Sequence, residues 1–108
     1  KFKIIDARSR GRFEGKEPEP RKDLRSGSIP NSFCLPYKEL INEDNTFKDN
    51  NYILLKFNNI LGPKLPEDVV FSCGSGITAA VLALAYSLIN TKYVPTIYDG
   101  SWAEYGRN

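Results

Sequence analysis

The chain contains no histidine. A Ser-His or Cys-His dyad, and most zinc sites, therefore cannot be built from these residues alone, and no metal is expected. Cysteine is nearly as scarce. Cys34 and Cys73 stand far apart, whereas a secreted disulfide framework needs more cysteines at closer spacing; a reducing compartment, cytosol or mitochondrial matrix, fits better. Long apolar runs are missing too. The longest, Ile77 to Ile89, falls short of the roughly 20 residues that cross a bilayer, so it is expected to be a core helix and no membrane partner is implied. The opening reads as a strand rather than as a signal peptide. Methionine is absent even at the start, which leads us to expect part of a longer protein. Charge of one sign is lacking: 15 basic residues are interspersed with 13 acidic ones for a net +2, without the basic stripe that would suggest nucleic acid.

What remains is 108 residues, 41% hydrophobic and 26% charged, which suits one globular domain with a single core. Phe2 to Asp6 reads as a buried strand ending in an aspartate, and Ala7 to Gly27 as a long, charged and therefore functional loop. Ser32 to Leu35 is a second short strand, stopped by Pro36, and Tyr37 to Ile41 a helical turn. Asn42 to Asn50 reads as surface loop. Ile53, Leu54, Phe57, Ile60 and Leu61 share one face of a helix from Tyr52 to Leu61, ended by Gly62-Pro63. Asp68 to Ser72 is a strand, Ile77 to Ile89 a helix so apolar that burial on most sides is expected, and Tyr93 to Tyr98 a last strand with Pro95 marking an edge or irregular start. Alternating strands and helices imply an α/β fold, with a mainly parallel sheet and helices on both faces.

The most informative junction is Cys73. It stands between the strand and Gly74-Ser75-Gly76, at the start of a helix, where unpaired backbone N–H groups favour an anion and activate a thiol. The competing reading is a small buried hydrophobe at a strand end. Other chemistries are excluded by spacing. Ser75 lacks the glycines two residues to either side that a hydrolase elbow wants, since Cys73 and Ile77 stand there. No Walker loop occurs. A cysteine phosphatase would need an arginine where Ala79 stands, so the loop suits a sulfur held by amides better than a phosphate dianion.

Five segments together resemble the rhodanese superfamily: Ile5-Asp6-Ala7-Arg8, Gly11 to Arg21, Gly27 to Ser32, Cys73-Gly74-Ser75-Gly76-Ile77-Thr78, and Tyr98 to Glu104. The active loop looks like that of the C-terminal catalytic domain of the 3-mercaptopyruvate sulfurtransferase group, which carries Cys-Gly-Ser-Gly-Val/Ile-Thr. Pro95 departs from the pattern, standing where a small aliphatic residue is expected. The resemblance implies a rhodanese-like domain spanning 1–108, the C-terminal part of a two-domain protein, and a sulfurtransferase that needs no cofactor. Cys73 would be the nucleophile and Ser75 a proton-handling or polarising group whose partners come from a preceding rhodanese domain. Gly74, Gly76, Ile77 and Thr78 would complete the substrate loop. Arg12 and Arg21 would hold the carboxylate and ketone of mercaptopyruvate, and guanidinium forks suit a planar 2-oxo acid. Neutral Gly74 and Ser75 fit that donor better than thiosulfate, whose two charges lie near the reacting sulfur. The acceptor would be a thiol, such as thioredoxin or glutathione, or cyanide.

Rivals stay open at this point: a thiosulfate enzyme, a sulfur carrier loaded by another protein, or a module that only binds a partner. A merely solvated loop would also account for Arg12 and Arg21. Asp6 and Arg8 read as structural, with Arg8 pairing to an acidic neighbour, Cys34 reads as core more than as a resolving thiol, and Trp102 and Tyr98 as packing residues.

Overall fold

The computed structural model describes residues 3–20, 24–73, 78–98 and 101–106. Three parallel strands, β1 (Lys3–Asp6), β2 (Phe33–Cys34) and β3 (Val69–Ser72), form a sheet in the order β2-β1-β3, with Ile5 opposite both Phe33 and Phe71. Parallel pairing demands crossover connections, and these contain α1 (Arg10–Phe13), between β1 and β2, and a 3-10 turn over Tyr37–Leu40 and α2 (Asn50–Leu61), between β2 and β3; α3 (Ala79–Ile89) and α4 (Ser101–Tyr105) follow β3.

The core lies on the sheet face that carries Ile5 and Phe71. There α2 delivers Ile53 and Phe57, and α3 delivers Leu82, Ala83 and Tyr86. The Phe57 and Tyr86 rings sit 4.8 Å apart, and Phe71 meets both edge-on. On the opposite face, Tyr105 of α4 joins Ile4, Ile29, Val70 and Tyr98 around an open apolar groove. Helix α2 begins two residues earlier than its apolar spacing predicts, because the Asp49 carboxylate caps it by accepting from the Tyr52 N–H at 2.9 Å. It ends where expected, at Gly62, whose φ of 90° favours glycine.

Two expectations are corrected and one is qualified. The charged stretch from Ala7 to Gly27 is not all loop, because Ser9 caps the single turn of α1 by accepting from the Arg12 N–H. Helix α3 is buried on most sides, as expected, except along one stripe. Ala80, Leu84 and Leu88 form an exposed stripe, the two leucines 53% and 46% exposed, because α2, β3 and the 3-10 turn cover only the other faces. The segment Tyr93 to Tyr98 forms no strand. It touches β3 through one parallel bridge, Phe71 to Ile97, and the ladder goes no further because the next donor, the Thr96 N–H, is taken by the Tyr93 hydroxyl.

A buried side chain does part of the work of the missing ladder. The Tyr93 hydroxyl donates to the Val69 carbonyl at 2.8 Å and accepts the Thr96 N–H at 2.9 Å. Tyr93→Phe is expected to cost about 1–3 kcal/mol by leaving both backbone groups unpaired. Urea denaturation measures this, and an unchanged midpoint would mean that the hydroxyl does not hold the segment to β3.

Candidate active site

Ligand crevices in parallel sheets lie beyond the C-terminal strand ends, because the chain must leave each strand there. Here Asp6 ends β1 and leads to Ala7 and Arg8, while Ser72 ends β3 and leads to Cys73. Backbone bonds carry the alignment past the strands: the Ala7 N–H donates to Ser72 at 2.7 Å and the Tyr37 N–H donates to Ala7 at 3.1 Å. Beside these ends is a cavity of about 330 Å³, walled by Ala7, Arg8, Ser9, Arg12, Pro36, Tyr37, Lys38 and Thr78.

Two guanidiniums form its inner wall, and two carboxylates outside the lining hold them in place. Arg8, only 3% exposed, donates from Nε and Nη2 to the Asp6 carboxylate, from Nη2 to the Gly27 carbonyl at 2.6 Å, and from Nη1 to Glu19 at 2.9 Å. The Glu19 side chain is wholly buried and also accepts from Arg12, at 3.2 Å from Nε and 2.6 Å from Nη2. This side-on grip leaves Nη1 of Arg12 without a partner among the described residues. The Glu19 hydrogen bond raises the Arg12 pKa. Burial opposes it, and the charges of Glu19, Asp6 and Cys73 add to the rise, so Arg12 lies within electrostatic reach of the thiol.

Cys73 is buried at 1% exposure, and its peptide is clamped from the far end of the chain. Its N–H donates to Ser101 Oγ at 3.0 Å, and its carbonyl accepts from the Trp102 N–H at 2.9 Å. Ser101 has a φ of 48°, a left-handed conformation uncommon outside glycine. Its hydroxyl helps hold that conformation by donating to the Tyr98 carbonyl at 2.7 Å. Trp102 is buried as expected, with the Arg8 guanidinium 4.8 Å from its ring centre and its Nε1 donating to the Arg25 carbonyl.

Among the site residues expected from sequence, Arg12 and Thr78 line the cavity, and Cys73 follows β3 next to the same strand ends. Thr78 precedes α3 and makes no side-chain capping bond. Arg21 and the loop residues Gly74, Ser75, Gly76 and Ile77 lie outside the described residues. Asp6 and Arg8 are the structural pair they were expected to be. Sequence reasoning overlooked Glu19 and Ser101. Glu19 carried a signal, since Pro18 and Pro20 bracket it and restrict its backbone; Ser101 carried none beyond its turn. Cys34 is half-buried rather than core, with Sγ 3.6 Å from the Arg8 carbonyl, and burial pushes its thiol up to about 11. No group of three or more Cys, Asp or Glu side chains among the described residues could hold a metal ion.

A parallel α/β domain with a buried cysteine and a guanidinium-walled cavity at its strand ends is the class that fold and site define. The whole chain, residues 1–108, matches the rhodanese-like domain family, and it belongs to that family. It is 40% identical over 104 residues to thiosulfate/3-mercaptopyruvate sulfurtransferase 1, mitochondrial, of Arabidopsis thaliana, covering 96% of this chain and 27% of that protein. It is 38% identical over 103 residues to the 3-mercaptopyruvate sulfurtransferase of Escherichia coli K12, covering 95% of this chain and 36% of the relative. The crystal structure of the Tum1 protein from Saccharomyces cerevisiae superposes with a TM-score of 0.80 at 39% identity, covering 96% of this chain and 36% of that one. The chain thus spans about a third of the length of these relatives.

Ser101→Ala is expected to lower stability by about 1–3 kcal/mol, because it orphans the buried Cys73 N–H. Chemical denaturation reads the change; a loss within error would mean that the clamp is not what holds this peptide. Cys34, with a pKa near 11 against the usual 9.0, should carry roughly 100-fold less thiolate at pH 8 than an ordinary cysteine. Iodoacetamide labelling followed by peptide mass mapping should find it correspondingly slow in the folded protein and fast in urea.

Proposed function

We propose that this domain transfers sulfur from 3-mercaptopyruvate to a thiol or to cyanide through a persulfide on Cys73. The observation that carries the reading is Arg12. Its guanidinium is held side-on by the buried Glu19 side chain with Nη1 unengaged among the described residues, on the wall of a cavity beside the strand that delivers Cys73. Such a fork suits the planar carboxylate and ketone of a 2-oxo acid. The names of relatives at 37–40% identity support the same donor.

In the proposed first step the Cys73 thiolate attacks the substrate sulfur. The carbon–sulfur bond breaks and its electron pair leaves with the pyruvate carbon as an enolate, which takes up a proton to become pyruvate. Loop amides, with Thr78 at the helix start, would hold the resulting Cys73 persulfide. In the second step an acceptor thiolate, from a small thiol such as glutathione or a protein such as thioredoxin, attacks the outer sulfur and returns Cys73 as thiolate. Cyanide would take the same atom as thiocyanate. Arg21 would share the oxo-acid clamp and Ser75 would assist proton movement, completed by a preceding rhodanese domain. A cytosolic or mitochondrial setting suits this thiol chemistry. Among the described residues, no helix is long and apolar enough to cross a membrane. Thiosulfate is the second donor to weigh, because it appears in the name of the Arabidopsis relative.

The test is intact mass after brief incubation with 3-mercaptopyruvate or with thiosulfate, beside Cys73→Ser. One added sulfur atom, dependent on Cys73 and formed faster from mercaptopyruvate, is the expected result. No adduct from either donor would overturn the reading for this chain. Arg12→Ala should reduce the rate with mercaptopyruvate about 10- to 100-fold, the scale of a lost charged hydrogen bond, and the rate with a donor lacking a carboxylate much less. Equal losses would sink the clamp.

A further inference from the structure

The charges around the cavity do not contribute equally to its attraction for an anion. Arg8 and Arg12 are matched by Asp6 and Glu19, two cations against two buried carboxylates within 2.6–3.2 Å, so this inner wall is close to neutral as a unit. Glu17 touches the rim through Ser9, whose hydroxyl donates to it, without lining the cavity. Among the described residues, the remaining charged group on the wall is Lys38, exposed on the 3-10 turn.

Lys38 has no carboxylate partner among the described residues. The acidic group beside it in sequence, Glu39, is taken from another side by Arg10 at 3.2 Å and by Lys56 at 3.1 Å. Glu43 and Lys38 border the adjoining depression without forming an ion pair. Among the described residues, Lys38 therefore supplies the uncompensated positive charge of the cavity wall, while Arg12 offers directed donors.

Resting on the 2-oxo acid reading above, we propose that Lys38 is a specificity-determining residue, selecting donors that carry a carboxylate by attracting that charge into the cavity where Arg12 fixes its plane. A long, flexible ammonium suits this task, because it follows a charge without imposing geometry. Its contribution depends on ionic strength, since an exposed charge is screened over about 8–10 Å at ordinary salt.

The test separates binding from turnover. Pyruvate and its neutral amide, pyruvamide, are titrated into the wild-type chain, Lys38→Gln and Lys38→Arg, and followed by amide chemical shifts at low and high salt. Pyruvate should bind the Gln variant about fivefold more weakly at low salt, the scale of one exposed ion pair, with the gap closing at high salt, pyruvamide unaffected and Lys38→Arg restoring the affinity. Equal pyruvate affinity in wild type and Lys38→Gln, an equal loss for pyruvamide, or no pyruvate binding by wild type would each overturn the role of Lys38. Persulfide formation on Cys73, measured alongside, reports separately on the transfer reaction. An adduct without any Lys38 effect removes this inference alone, whereas the Lys38 effect without an adduct removes the transfer and leaves an oxo-acid binding cavity.

Discussion

The side chain on which the rest of this structure depends is Arg8. Its guanidinium is buried, where an unpaired cation would be prohibitively costly, so the fold must bring it acceptors. It finds them in three separate stretches: Asp6 at the end of β1, Glu19 in the charged loop and the Gly27 carbonyl. Trp102, from the far end of the chain, closes over it at 4.8 Å. One planar donor group thus draws together segments that share no secondary structure.

Two consequences for the site follow from that lock. Glu19, fixed by Arg8, holds Arg12 on the cavity wall, so the orientation of the candidate substrate-binding arginine derives from a buried ion pair rather than from its own four-residue helix. Trp102, packed against Arg8, presents its backbone N–H to the Cys73 carbonyl while Ser101 accepts the Cys73 N–H. The same network therefore braces the arginine and the cysteine. Buried ion pairs of this kind are a weak source of net stability, and their better-attested use is to specify one arrangement. Full compensation inside also moves the net positive charge of the wall, among the described residues, outward to Lys38, where solvent and salt modulate it.

How legible this was depended on whether the signal was local. The strands ending at Asp6 and Ser72 were readable because short apolar runs bounded by polar and glycine residues leave few alternatives. The helix ending at Gly62 was readable from its period, but its start was not, since Asp49 acts through a side-chain cap. The last strand failed for a specific reason: β-prone Tyr93 to Tyr98 had the right composition, but the Tyr93 hydroxyl takes the Thr96 N–H that a ladder would use, and one bridge is all that forms. The apolar helix was read as buried on most sides, and the stripe that is not could not be foreseen, because composition does not tell how many neighbours a helix has. Leu84 and Leu88 face outward for want of a covering element among the described residues.

By itself, the sequence determined the family, the α/β class, the position of Cys73 at a strand-to-helix junction and the exclusion of histidine chemistry, because these follow from residue identity and short-range spacing. Tertiary structure alone decided which charges are spent and which are available. Arg8, Arg12 and Lys38 are equivalent cations on paper. Only the convergence of Asp6 and Glu19 on the first two, with Glu39 drawn off by Arg10 and Lys56, distinguishes them. Electrostatic pairing acts over a few ångströms of space regardless of distance along the chain, so it could not be read from the order of the residues.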